Sequence, residues 1–158
     1  MKKIFVILLV SLSLNTFSQQ SIDSLQLKKN INIILGTETT LYIGSMTGLY
    51  YLWYADYPQS SFHFHNDNAE WLQMDKVGHA TTAYHVGMLG YEALRLAGWD
   101  ENKSIIYGGP LGFVFLSTIE VFDGLSDGWG FSWGDMAANA LGTGLFMGQQ
   151  ALWHEQRI

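Results

Sequence analysis

The chain has 158 residues, enough for one domain with a real core, and it contains no cysteine. Disulfides and thiolate metal sites are therefore excluded. The net charge is −6 at pH 7 and grows more negative once the basic N-terminus is set aside, which excludes a nucleic-acid partner and docking on anionic lipid by charge alone.

Lys2 and Lys3 precede an apolar run over 4–14, and Thr16 and Ser18 place small residues where a signal peptidase reads. The run is too short to span a bilayer comfortably, so residues 1–18 are expected to be a signal peptide. Residues 19–29 read as a polar lead-in and 30–158 as a single helical domain. The protein is thus expected to be exported, to the periplasm or a cell-envelope membrane. With no cysteine at the signal junction to carry lipid, it is expected not to be a lipoprotein.

Four helices are predicted in chain order, over about 30–54, 75–96, 103–122 and from Ser132 to about His154. Gly98 should stop the second, and Gly109-Pro110 should kink or start part of the third. Two-residue alternation is scarce, so the fold class is all-α: a glycine-rich, membrane-associated bundle of about four helices. Gly44 with Gly48, Gly108 with Gly112 and Gly144 with Gly148 share a spacing that lets helix backbones approach closely. In water each interior glycine costs about 1 kcal/mol relative to alanine, which favours a packing role for them.

The first and third segments are apolar enough to be spanning candidates, whereas the second carries His79, His85, Glu92 and Arg95. In an up-down bundle Lys28, Lys29, Arg95, Lys103 and Arg157 fall at one end, with only Lys76 opposite. The positive-inside rule would put the first end in the cytoplasm, while a cleaved signal would put the mature N-terminus outside. These clues oppose one another if every helix spans, so membrane association is the expectation and the number of spans stays open.

The residues that carry chemistry come in pairs at helical spacing. Asp75 and His79 are four apart, about 40° apart around one helix face. Glu120 lies three before Asp123, and Asp135 four before Asn139. The start of helix two, the end of helix three and the start of helix four share one end of an antiparallel bundle, so the pairs should converge there. Each pair also has a plain local explanation. Asp75 could be an N-cap, Ser132 with Asp135 a loose capping box, and Asp123-Gly124 a helix exit. Convergence favours a shared polar site of Asp75, Lys76, His79, Glu120, Asp123, Ser132, Asp135 and Asn139. Carboxylates gathered in an apolar setting need a cation among them. His79, Lys76 or a divalent metal held by His79, Glu120, Asp123 and Asp135 could supply it, zinc, manganese, iron or magnesium suiting such donors.

The order Asp75, Lys76, His79, then Glu120, Asp123, then Ser132, Asp135, Asn139, Gly142 resembles the YfiM-like family of predicted periplasmic lipoproteins, a domain of unknown function. A looser layout of the same kind is found in the VanZ-like membrane proteins. The resemblance covers roughly residues 36–148 and implies location and architecture, not a reaction. The chain departs from it in lacking the lipidated cysteine.

His63, His65 and Asp67 spell the opening of a metallo-β-lactamase ligand set, but Asn68 stands where that family has histidine and no strand pattern surrounds them. They read instead as a polar loop whose Phe62, Phe64 and Trp71 pack back on the bundle, with either histidine able to lean over the site. Tyr50, Tyr51, Trp53, Tyr54, Trp129 and Trp133 gather at the same end, as an interfacial belt and as core filling more than as a ligand pocket.

Three functions fit these residues. The first is a non-catalytic or accessory envelope protein binding a headgroup, a cell-wall fragment or a protein partner. The second is a metal-dependent envelope hydrolase using the same residues. The third is a purely structural polar network.

Overall fold

The computed structural model of the chain describes residues 23–157. The expected signal peptide and the opening of the polar lead-in lie outside them. Helix α1 (Ser24–Leu49) continues through a π-helical turn, Tyr50–Tyr54. A loop and a short 3-10 turn, Trp71–Gln73, lead into α2 (Met74–Ala97). Then follow α3 (Glu101–Gly108), α4 (Leu111–Gly124) and α5 (Trp133–Trp153). Helices α3 and α4 are halves of one segment interrupted at Gly109-Pro110, so the four predicted helices are present and the fold is all-α. Two isolated backbone bridges, Gln59 to Ser126 and Phe64 to Phe131, are the only strand-like pairing among the described residues.

The helix ends follow local chemistry. Gly98 adopts φ 103°, a left-handed conformation that glycine reaches without strain, and there α2 stops. Asp100 accepts the Lys103 backbone N–H at 2.9 Å, and Ser132 accepts that of Asp135 at 3.2 Å, starting α3 and α5. Helix α1 begins within the polar lead-in because polarity does not oppose helix there. Gln26, Lys28 and Lys29 are good helix formers, while Leu27 and Ile31 reach Leu94, Ala97 and Trp99.

Helix α2 is the centre and packs against every other helix. Its closest approaches are to α4 and α5. A Cβ built on Gly112 would lie 1.9 Å from the Ala83 carbonyl oxygen, and one on Gly142 1.9 Å from that of Ala80. Below these crossings Tyr84, Tyr91, Ile105 and Phe146 form the main core. The three glycine pairs of the sequence divide: Gly108 and Gly112 are at crossings, whereas Gly44, Gly48, Gly144 and Gly148 have nothing within 4 Å of an added Cβ. Spacing alone reports no direction, and these four face outward.

Of the two spanning candidates, Glu101–Gly124 is long and apolar enough to cross a membrane by length and composition, a test that a core helix also passes. The first segment does not meet it, since Thr37, Glu38, Thr39 and Thr40 break its apolar run.

Gly112→Ala should destabilise the bundle by about 1–3 kcal/mol, because the added methyl meets backbone that cannot rotate away. Gly144→Ala should raise stability by up to about 1 kcal/mol, since the methyl meets open space and helix propensity improves. Thermal or chemical denaturation of the two variants side by side checks both.

Candidate functional site

The predicted convergence is observed, and its hub is a lysine. The Lys76 ammonium lies 2.8 Å from Asp135 Oδ1, 2.6 Å from Asp67 Oδ2 and 3.3 Å from Asp75 Oδ2. Its side chain is only 13% exposed. Burial opposes the charge, but the Asp135 and Asp67 carboxylates outweigh it and raise the Lys76 pKa. Burial also disfavours ionised Asp67, yet hydrogen bonds from Lys76 and Ser132 prevail and hold it at about 2. Asp67 further accepts the Ser132 hydroxyl at 2.7 Å. For Asp135, burial wins over Lys76 and the pKa is raised.

Beside this ion network stands His79. Its Nδ1 hydrogen-bonds Asn139 Oδ1 at 3.0 Å, while Nε2 faces Glu120 Oε1 at 3.6 Å and Asp75 Oδ1 at 3.8 Å. Glu120 is 1% exposed. Its Oε2 accepts the Ser132 backbone N–H at 3.0 Å, and its Oε1 is buried with no hydrogen-bond partner. The capping box read from Ser132 and Asp135 is thus half local. Ser132 caps α5, but the carboxylate answering its N–H comes from α4. Burial pushes Glu120 up to about 8.

Asp123 turns another way, accepting the Tyr54 hydroxyl at 2.7 Å. Burial raises it to about 6 against that hydrogen bond. Burial, then the bond to Asp123, raises Tyr54 as well. Asp75 is not the N-cap of α2: Gln73, in a left-handed conformation, holds that position without a side-chain cap bond. Asp75 sits in the first turn instead, half-exposed at the mouth of the site.

Asp67 and Glu70 are the residues that the sequence reasoning missed. The loop carrying Asp67 lies against the α4–α5 connection, through His63 N–H to Gly124 O at 2.9 Å and His65 N–H to Phe131 O at 3.0 Å. Phe62 and Phe64 pack on Phe131 as expected, and Phe64 also on Trp133. The signal that could have found Asp67 was the His63, His65, Asp67 motif itself, which is not a ligand set. His63 bonds the Trp129 carbonyl at 2.8 Å, His65 pairs with Glu70 at 3.2 Å, and Asp67 goes to Lys76. His85 and Glu92 lie exposed away from the site.

These groups surround a cleft of about 790 Å³. Its polar lining includes His65, Asp67, Glu70, Asp75, His79, Asp123 and Asp135, and its apolar lining Leu49, Trp53, Tyr54, Met74, Ile119 and Trp129. Within the site, Asp75, His79 and Asp135 each bring one potential ligand atom within 4.8 Å of the others. Neither Asp123 nor Glu120 is of that group.

An all-α bundle whose polar residues converge at one end from three helices and a loop defines the class. The chain belongs to the family described as predicted periplasmic lipoprotein (DUF2279), whose model matches residues 63–148 and takes in the whole polar constellation. No curated protein and no solved structure matches the chain. The family is of unknown function, and its periplasmic description accords with export. It overturns the expectation that the protein is not a lipoprotein. That expectation rested on the lack of cysteine, which bears on a single chemical route of attachment and not on the class of protein.

Lys76→Met should cost about 3–5 kcal/mol, because Asp67 and Asp135 lose their shared cation while staying largely buried. Urea denaturation beside the wild type measures it. A pH effect follows from Glu120, which faces His79 of α2, Asp135 of α5, Asp67 of the loop and Asp123 of its own helix. Between its ordinary 4.5 and about 8 the folded chain keeps a proton that the unfolded chain has lost, so this group's stabilisation falls as pH rises. In Glu120→Gln the loss of stability between pH 6 and pH 8 should shrink, as denaturation midpoints at both values would show.

Proposed function

We propose that this is a non-catalytic, accessory envelope protein, a membrane-associated helix bundle whose acidic cleft binds an amine-bearing group of an envelope lipid headgroup or cell-wall fragment. The observation that carries the reading is the cleft's composition. Asp67, Glu70, Asp75, Asp123 and Asp135 line it beside Trp53, Tyr54 and Trp129, and Lys76 is already committed to Asp67 and Asp135. Carboxylates with aromatic faces attract ammonium groups by charge and by the ring quadrupole.

Membrane association draws support from the exterior. Large apolar side chains stand exposed on several helices, among them Leu41, Leu89, Leu96, Val114, Leu141 and Leu152. Exposed aromatic residues mark both ends, Trp53, Trp129 and Trp133 at the cleft and Tyr107 and Trp153 at the other. Amphipathic rings favour apolar–wet boundaries. The resemblance to the YfiM-like family, and more loosely to VanZ-like membrane proteins, fits an envelope setting.

Tryptophan fluorescence of the detergent-purified protein should change on titration with phosphatidylethanolamine vesicles or with soluble muropeptides, whichever source carries the amine. Phosphatidylglycerol vesicles should leave it unchanged. Asp123→Asn should weaken the response about tenfold, the range of a charge-assisted hydrogen bond. Turnover of an envelope lipid or muropeptide, lost in Asp135→Ala, would sink the non-catalytic reading.

A further inference from the structure

We propose that the part of the cleft around His79, from Asp75 at its mouth to buried Glu120, is a divalent transition-metal site formed by His79, Asp75, Asp135 and Glu120. The inference rests on reading this cleft as a binding site and names a second occupant for it. Asp75, His79 and Asp135 bring ligand atoms within 4.8 Å of one another, from two positions one turn apart on α2 and from the first turn of α5. Asp75 stands where the sequence would have put Asp123, whose carboxylate is engaged by Tyr54.

Two observations independent of the acidic cluster point to a cation. The first is Glu120 Oε1, which is buried without a hydrogen-bond partner and lies 3.6 Å from His79 Nε2. A buried carboxylate oxygen left unmatched is costly, and a metal ion at this point would satisfy it. The second is the orientation of the imidazole. With Asn139 Oδ1 accepting from Nδ1 at 3.0 Å, Nε2 is the nitrogen turned toward the Glu120 and Asp75 oxygens. A hydrogen-bond acceptor on the other ring nitrogen is the usual companion of a metal-binding histidine. Asn139 is fully buried, so the ring is held in this orientation.

Lys76 shares two of these carboxylates with the proposed site. It lies against Asp135 Oδ1 at 2.8 Å and Asp75 Oδ2 at 3.3 Å, and each carboxylate has a second oxygen to offer. One imidazole with carboxylates and no thiolate suits manganese, iron or zinc better than calcium.

Isothermal titration of the chelator-treated full chain in mild detergent with Mn²⁺ and Zn²⁺, followed by elemental analysis after dialysis, tests the site. One ion per chain is expected, bound at least tenfold more weakly by Asp75→Asn and Glu120→Gln. Asn139→Ala should lose about 10–100-fold through the ring it orients. Asp75 is 45% exposed and its variant should fold normally, so wild-type affinity in folded Asp75→Asn would overturn the proposal. Absence of uptake by the wild type would do the same, and amine binding retained in that case would leave the preceding reading standing. Stoichiometric metal without any amine response would support the site and overturn that reading instead.

Discussion

The Lys76 ammonium joins three parts of the chain that have no local reason to meet. Its own helix, the loop carrying Asp67 and the first turn of α5 carrying Asp135 are held within 3 Å of one cation. An ammonium this far from water is tolerated only with its partners in place, and the partners tolerate burial only with the ammonium present. Ser132 extends the network by donating to Asp67 while capping α5, and its backbone N–H reaches Glu120 on α4. The cap of one helix, the end of another and the path of a loop are thereby settled together.

That network depends in turn on how closely the helices approach. Gly112 and Gly142 leave the Ala83 and Ala80 carbonyls no room for a side chain between the helices, so α4 and α5 lie directly on α2. At that spacing Glu120, His79 and Asn139, set on three different helices, come into hydrogen-bonding or near-contact range. A bundle spaced by larger residues would leave the same side chains separated by water. The small residues and the polar site are therefore one design. The glycines bring the backbones together, and the polar end gives the close-packed helices a fixed register.

The electrostatics of the cleft divide its carboxylates by environment. Asp67, paired with Lys76, is held ionised, while burial holds protons on Glu120 and raises Asp123. Neighbouring acids thus carry different charge at neutral pH.

Much of this was legible in the chain before folding. Helical spacing placed Asp75 with His79 and Asp135 with Asn139, Gly98 and Ser132 marked helix ends, and the antiparallel order of helices predicted which ends would meet. These are local or topological rules, and one sequence suffices for them. Direction and partnership needed the tertiary structure. Gly44 with Gly48 and Gly108 with Gly112 share a spacing, yet only the second pair lies at a crossing, since spacing carries no information about which side a neighbour occupies. Asp123 turns aside to accept a hydroxyl at 2.7 Å from Tyr54, nearly seventy residues away. Asp67 entered the site because loop and connection exchange backbone hydrogen bonds that no periodicity announces. Helical pattern determined which residues could gather, and packing across the bundle decided which of them touch.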